Sequence, residues 1–244
     1  MKRLAYLLAN TDGLPGIKKD IEDFRCFLES PSGGAWKSTE IVTKYNVSLA
    51  DLGKDLALIK LANYDYVIFY YSGHGGWKRE TRLYINAREE FILESDVSGL
   101  AKKQLSIFDC CRVTEPEGNE KIAVCDEALN TGIAMLNCCR RKFDQLIEAA
   151  TPQEVRLYAC QPGQFAIATG QGSLYSQSFL KRAELLSRKQ DVDPNSIHYA
   201  CKMSVSIAAG LHKEKQDPDI AVIKYSPDYK PLTFAITKPR LMFG

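Results

Sequence analysis

An apolar run that ends in a glycine-flanked histidine constrains the fold of this chain more than any other feature. Residues 64–71 read Tyr-Asp-Tyr-Val-Ile-Phe-Tyr-Tyr, which is typical of a buried strand, and the sequence Ser-Gly-His-Gly-Gly (72–76) follows at once. Because glycine permits a sharp backbone turn, we expect His74 to stand at the carboxyl end of a core strand. Ligands and chemistry collect at that edge of open α/β sheets, so His74 is a candidate functional residue.

A second apolar run ends in the same way, on cysteine. Residues 104–108 read Gln-Leu-Ser-Ile-Phe and lead into Asp-Cys-Cys-Arg (109–112). If the two strands are neighbours, His74 meets a thiol supplied by Cys110 or Cys111. A thiolate attacks acyl groups, and a nearby imidazole can accept the thiol proton and later protonate a leaving amine. The two strand ends together therefore predict nucleophilic catalysis on an acyl group.

The glycine turn offers a second catalytic feature. A tight turn around His74 would leave the backbone N–H of Gly75 pointing into the site, where it could act with the N–H of Cys111. Two such donors can hold the oxyanion of a tetrahedral intermediate, each contributing roughly 3 kcal/mol. We therefore predict that Gly75 belongs to an oxyanion hole.

The rest of the chain alternates strand-like runs with helical apolar stripes. This pattern predicts one α/β domain over residues 1–244, with a mostly parallel six-stranded sheet and helices on both faces. The segment 77–100 carries two short strands outside the main sheet, and the polar segment at about 113–130 is expected to be a mobile loop. The predicted strands are 1–10, 40–45, 64–71, 104–108, 154–160 and 220–225, and the predicted helices are 17–28, 48–61, 138–150, 174–187 and 195–209.

Composition excludes several classes of function. The formal net charge of +2 is close to balance, so we predict no nucleic-acid partner. No run approaches the roughly 20 apolar residues that a membrane span needs, so no membrane association is expected. The start, residues 1–10, superficially resembles a signal peptide, but no small-residue cleavage site follows and a first strand is the better interpretation. These features predict a cytoplasmic protein.

The eight cysteines point to neither a metal nor a disulfide framework. Two adjacent pairs and four single residues match no CxxC zinc or haem pattern and no secreted scaffold. We expect most of them to be small buried hydrophobes in a reducing compartment. No metal and no cofactor is predicted.

Taken together, the two strand ends resemble those of the caspase-like cysteine peptidases. Tyr-Ser-Gly-His-Gly-Gly (71–76) and Phe-Asp-Cys-Cys-Arg (108–112) are similar to the Ser-Gly-His-Gly and Asp-Ser-Cys-His motifs of the metacaspases or orthocaspases. The resemblance implies the caspase-hemoglobinase fold and a catalytic dyad of His74 and Cys111. Cys110 then takes the position that is usually Ser. Weaker matches at 14–20, 158–164 and 172–176 extend the similarity over roughly residues 3–225.

The resemblance also implies a specificity. In metacaspases the equivalents of Asp20, Ser72 and Asp109 line the first substrate pocket. Two carboxylates in a partly desolvated pocket favour a guanidinium or ammonium group, so we expect cleavage of protein substrates after Arg or Lys. The plainer readings are that Asp109 caps a turn and that Asp20 is a charge on a helix face.

Control and competing functions follow from the same comparison. The segment 77–100 retains few acidic residues beyond Asp96, so calcium activation is not expected. Activation by a partner protein or protease, in a bacterial defence or cell-death pathway, is the expected context, with self-cleavage at 140–142 or at Lys121 as a further hypothesis. The alternatives are a catalytically silent caspase-fold scaffold and a peptidase of the separase or gingipain type. The oligomeric state is left open.

Overall fold

A computed structural model describes residues 1–14, 16–114, 133–224 and 228–238 of the chain. These residues form eleven strands and five α-helices, together with a short 3-10 turn at Ser38–Glu40. In chain order they are β1 (Arg3–Ala9), α1 (Ile17–Glu29), β2 (Ile41–Tyr45), α2 (Leu49–Leu61), β3 (Tyr64–Ser72), β4 (Gly75–Lys78), β5 (Glu80–Tyr84), β6 (Phe91–Leu93), β7 (Ala101–Asp109), α3 (Ile133–Ala149), β8 (Gln153–Tyr158), β9 (Ala168–Thr169), β10 (Gly172–Ser173), α4 (Leu174–Ser187), α5 (Pro194–Leu211) and β11 (Asp219–Lys224).

The central sheet has six strands in the order β11-β8-β7-β3-β1-β2. All neighbours are parallel except β11, which runs antiparallel to β8. Ser72 at the end of β3 pairs with Ala9 of β1 on one side and with Asp109 of β7 on the other. Three strands therefore end level with one another at one edge, and the two predicted motifs leave the sheet side by side. The predicted fold class is confirmed.

Apolar side chains cover both faces of the sheet, because alternate residues of each buried strand point to opposite sides. One face packs against α1, α3, α4 and α5, where the rings of Phe24 and Tyr70 stack with centroids 4.3 Å apart. The other face packs against α2 and a small antiparallel sheet of β4, β5 and β6. None of the described helices combines the length and apolar character that a membrane-spanning segment needs.

Side-chain caps fix several of the helix starts. The hydroxyls of Ser48 and Ser173 and the carboxylate of Asp193 accept backbone N–H groups in the first turns of α2, α4 and α5. The start of α2 after Ser48 is as predicted, and α4 coincides with its predicted span of 174–187. Such caps are the clearest helix signals that a sequence carries.

The structure differs from the predicted elements at a few places. A strand that was not predicted, β4, overlaps the start of the 77–100 segment. Its two glycines have little strand propensity, and it pairs with β5. Helix α3 begins at Ile133, five positions before the predicted start at Cys138. The predicted loop at about 113–130 lies outside the described residues except for its first two positions, as do Cys125, Lys121 and the predicted strand end at Tyr225.

Candidate active site

The turn after β3 is held by a buried tyrosine. Gly73 has a φ of +153°, and a Cβ there would lie within 3.0 Å of Asn10 and of the Tyr71 hydroxyl. That hydroxyl lies 2.6 Å from the carbonyl oxygen of His74 and 2.5 Å from that of Tyr84. The backbone around His74 is therefore tied to both β3 and β5, and only glycine fits at position 73.

The imidazole of His74 is oriented by a main-chain carbonyl. Its Nε2 lies 2.7 Å from the carbonyl oxygen of Asp12, in the turn that follows β1. A carbonyl can only accept a hydrogen bond, so Nε2 carries the proton and the Nδ1 of a neutral ring is left as the acceptor. Asp12 was not among the predicted site residues, since a backbone contact has no residue-type signature. The Asp-Gly pair at 12–13, which marks a turn at the same sheet edge, was the available signal.

The two adjacent cysteines lie in different environments. Cys110 is buried, at 2% exposure, and burial raises the pKa of its thiol well above the ordinary value. Cys111 is half-buried, and its Sγ lies 3.6 Å from the carbonyl oxygen of Ala166 and 3.4 Å from the backbone nitrogen of the same residue. A reactive thiol needs access and a stabilised thiolate, which Cys110 lacks.

His74 and Cys111 line one cleft at the carboxyl edge of the sheet. Leu14 and Ile17 form one wall, and Ala166 and Ala168 form another. The free volume of the cleft is about 30 Å³, which is room for a water molecule or two and far less than an arginine side chain occupies. The two predicted dyad residues are thus brought together, in a cleft that is nearly closed.

Gly75 packs directly against the cysteine-bearing strand end. A Cβ at this position would lie 2.5 Å from both the Cys110 Sγ and the Cys111 carbonyl oxygen. The His74 carbonyl accepts a hydrogen bond from the Tyr84 N–H on β5. Because a trans peptide holds its C=O and N–H on opposite sides, the N–H of Gly75 points away from β5. The oxyanion role of Gly75 stays a prediction.

The three predicted pocket residues lie together beneath this cleft. The Ser72 hydroxyl donates to a carboxylate oxygen of Asp20 at 3.2 Å. The backbone N–H of Ser173 also donates to Asp20, at 2.9 Å and 3.1 Å to its two oxygens. Asp109 accepts a very short hydrogen bond from the Ser173 hydroxyl, and Ser176 donates to it from its hydroxyl at 2.5 Å and its backbone N–H at 3.2 Å. The start of α4 therefore covers both carboxylates.

Both carboxyl groups are almost completely buried, and the hydrogen bonding of Asp109 is incomplete. Burial raises the pKa of Asp20 well above its usual range, and the negative charge of Asp109 raises it further. Burial also raises the pKa of Asp109, against the lowering effect of the hydrogen bonds from Ser173 and Ser176. The Oδ1 of Asp109 is buried and finds no hydrogen-bond partner among the described residues. Among the described residues, no positive side chain hydrogen-bonds or forms an ion pair with Asp20 or Asp109. The pair of buried carboxyl groups therefore favours either a bound proton or an incoming cation.

A model of the caspase domain matches residues 2–225 of the chain. The chain belongs to the caspase-domain family of cysteine peptidases. Caspase-1 from Spodoptera frugiperda has a similar crystal structure, with a TM-score of 0.60 and 14% identity over 100% of this chain and 92% of that one. A protein from Geobacter sulfurreducens is similar with a TM-score of 0.57 and 14% identity, covering 93% and 95% of the two chains. No curated protein matches the sequence.

Within this caspase domain, the loop over Cys111 is joined to the chain that follows α5. The amide of Gln164 donates to the Asp217 carboxylate at 3.0 Å and accepts from the Asp217 N–H at 2.8 Å. The amide oxygen of Gln216 accepts from the Ile167 N–H at 3.0 Å, and Ser206 of α5 donates to Asp217 at 3.1 Å. The backbone around Ala166 is therefore anchored at both ends to one short segment.

Arg112 and His198 serve the caspase fold. Arg112 is buried, pairs with Asp219 at 3.1 Å and lies over the rings of Trp77 and Tyr158. Arg112 therefore joins strands, and it does not line the candidate site. Burial lowers the pKa of His198 to about 4, and its Nδ1 bonds the Tyr175 hydroxyl at 2.9 Å.

The basic cluster at 140–142 lies inside α3. Arg140 bonds Glu40 through both guanidinium nitrogens, and Lys142 pairs with Asp191 at 2.5 Å. A peptidase binds its substrate in an extended form, so cleavage there would require α3 to unwind. Among the described residues, no cluster of His, Cys, Asp or Glu is arranged to hold a metal ion.

Proposed function

We propose that this caspase domain is a cysteine endopeptidase that cleaves protein substrates after Arg or Lys. The observation that carries the specificity is the buried Oδ1 of Asp109, which no described residue hydrogen-bonds, beside a second buried carboxyl group on Asp20. An unpaired buried acceptor costs free energy, and a guanidinium or ammonium group offers both the missing donor and the missing positive charge. An aspartate side chain in the same pocket would instead add a third carboxylate.

The proposed nucleophile is Cys111, with His74 as its base. The Asp12 carbonyl holds the proton on Nε2, so Nδ1 is the nitrogen that takes the thiol proton. The thiolate then attacks the main-chain carbonyl carbon of the substrate Arg or Lys. Negative charge moves to the carbonyl oxygen, where the N–H of Gly75 stabilises it.

The intermediate collapses when the C–N bond breaks. The leaving amine takes the proton from the His74 imidazolium, and a thioester between the acyl group and Cys111 remains. Water then attacks the thioester, with its proton passing to His74, and the carboxylic acid and free thiol are released. The protons come from the Cys111 thiol and from the attacking water, and His74 transfers both, so these steps call on no cofactor.

The nearly closed cleft supports control by a second molecule. With about 30 Å³ of free space, the substrate side chain enters only after Ala166 and the start of α4 move away from Cys111 and Asp109. In the resting protein this opening is infrequent and gives a slow basal reaction. An activating protein, or a protease that cuts the chain, is the proposed trigger that makes it frequent, in a bacterial defence or cell-death pathway. The competing function, a catalytically silent scaffold, gives no reason for the buried Oδ1 of Asp109 to lack a hydrogen-bond partner among the described residues.

Labelling by an arginyl chloromethyl ketone tests this proposal. We expect alkylation of Cys111 in the wild-type protein and in Cys110→Ala, mapped by mass spectrometry, and no labelling in Cys111→Ala. An aspartyl chloromethyl ketone is the matched control reagent, and its reaction rate should be lower by a factor of about ten or more. Alkylation at Cys110, or equal reaction with the aspartyl reagent, would refute the nucleophile or the specificity, respectively.

A further inference from the structure

Helix α5 presents an apolar ridge to solvent. Tyr199, Met203, Ile207 and Leu211 recur every four residues and are 63–82% exposed. Residues four apart lie on one face of a helix, so these side chains form a continuous row. Lys202 is the one Lys, Arg, Asp or Glu among the 18 residues of the helix. An exposed helix of a monomeric protein normally carries charge on this face.

The ridge is not needed to hold α5 in place. The opposite face of the helix is already buried, through Ile197, Cys201, Val205 and Ala209. These residues pack into the core that covers one face of the sheet, and α4 lies alongside. α5 is therefore apolar on both its inner and its outer face, and only the inner face is used by the fold.

A row of small residues runs beside the ridge. Ala200, Ser204 and Ala208 are also four apart, and they lie between the ridge and α4, from which Arg182 donates to the Ser204 hydroxyl at 3.0 Å. A row of large side chains next to a row of small ones is a ridge next to a groove. Two helices whose four-residue rows interlock in this way cross at about −50°.

We propose that α5 is a self-association surface on which two copies of the chain pair about a two-fold axis. The ridge of each copy enters the groove of the other, because a surface with both features is complementary to itself. A two-fold axis that lies in the interface, perpendicular to the helix axis and level with the centre of the ridge, makes the two helices antiparallel. Met203 of one copy then faces Ile207 of the second copy, and the two helix dipoles oppose each other.

Charge at the two ends of α5 fits the same arrangement. Asp193 caps the amino-terminal end of α5, and Lys213 follows its carboxyl-terminal end, while the nearby Asp191 and Lys215 are already paired with Lys142 and Asp217. Antiparallel pairing brings the acidic end of each copy to the basic end of the other. Parallel pairing, in contrast, would bring like ends together.

The size of the ridge suits a reversible dimer. Its four exposed side chains offer on the order of 600 Å² per copy, so pairing would remove about 1,200 Å² from water. That total lies at the lower limit for specific interfaces. We therefore expect dimerisation that depends on protein concentration.

Sedimentation equilibrium on the full chain, over a wide range of concentrations, tests the proposal. The wild-type protein should show a monomer–dimer equilibrium, and Ile207→Glu should weaken it on the order of 100-fold, since each copy would bury a carboxylate against an apolar side chain. The matched control is Leu61→Glu on α2, which is 81% exposed and should leave the equilibrium unchanged. Circular dichroism and thermal melting of each variant check that the fold is retained.

A mixing experiment tests the antiparallel geometry. Met203→Lys should weaken dimerisation as Ile207→Glu does. An equimolar mixture of the two variants should recover it in part, because the lysine introduced in one copy would face the glutamate introduced in the other. A wild-type protein that stays monomeric at every concentration overturns the proposal. A dimer that survives Ile207→Glu would show that the interface lies elsewhere, and this also overturns the proposal. So does a monomer whose ridge binds lipid vesicles, because the partner of the ridge would then be a membrane.

Discussion

The Nε2 atom of His74 lies 2.7 Å from the main-chain carbonyl oxygen of Asp12. This contact joins the end of β3 to the turn after β1, two strands that are neighbours in the sheet. The carbonyl fixes both the direction of the imidazole and the position of its proton, without using a charged partner. The ring is thereby prepared to accept a proton on its other nitrogen.

The first prediction concerns that proton. We expect the free protein near neutral pH to show a protected Nε2–H resonance from His74 in proton NMR spectra recorded in water. The hydrogen bond to Asp12 slows the exchange of this proton with solvent. His74→Gln should remove the resonance. Exposed His212 should give no such signal. A protected proton on Nδ1 of His74 would contradict the proposed role of that nitrogen.

The second prediction concerns Gly75. In Gly75→Ala the new methyl group meets the Cys110 sulfur and the Cys111 carbonyl at 2.5 Å, so the strand ends must separate. We expect a loss of about 1–3 kcal/mol in the free energy of unfolding and loss of peptidase activity. The control is Gly53→Ala in the middle of α2, where a Cβ meets nothing within 4 Å and about 1 kcal/mol should be gained. Urea denaturation of both variants measures the difference.

The third prediction concerns the dependence of stability on pH. The folded-state pKa of Asp20 is raised by burial and by Asp109, so between the ordinary aspartate pKa and the raised value the folded state holds more protons than the unfolded state. The free energy of unfolding must therefore fall as pH rises through that window. Asp20→Asn keeps an oxygen for the Ser173 N–H and removes the charge. It should be more stable than the wild-type protein at neutral pH, with the difference vanishing in acid. A variant that is less stable at neutral pH would count against a raised pKa.

The fourth prediction concerns substrate choice. Asp109→Asn should lower kcat/KM for peptides with Arg at the cleavage site on the order of 100-fold, because a cation would bury its charge without a counter-charge. Turnover of a peptide with a neutral residue at that position should change far less. The pair of substrates separates loss of specificity from general loss of folding. Equal losses on both peptides would indicate that Asp109 supports the strand end only.

Much of the fold was predictable because it rests on local signals. The run at 64–71 is almost wholly apolar, and Ser48 and Asp193 mark helix starts by capping chemistry. The missed strand β4 has no such signal, since its two glycines have little strand propensity. The antiparallel direction of β11 likewise depends on the path of the chain.

The candidate site divides in the same way. Histidine, cysteine and aspartate at strand ends can be found from residue type and motif, and the structure brings His74, Cys111, Asp20 and Asp109 to one edge. The contacts of the Asp12 carbonyl and the Ser173 N–H could not be found, because every residue has these groups. Ser173 and Ser176 lay within the stretch 172–176 that resembles the metacaspases, yet their bonds to the carboxylates depend on how α4 docks on α1.

The hydrogen bonds between Gln164 and Asp217 join the surface helix α5 to the backbone beside Cys111. Asp217 follows α5, while Gln164 belongs to the short stretch of backbone that shields the sulfur of Cys111. A displacement of α5 would act on this stretch of backbone through the side chains of Asp217 and Gln164. These bonds connect the position of a surface helix to the backbone that covers the Cys111 sulfur.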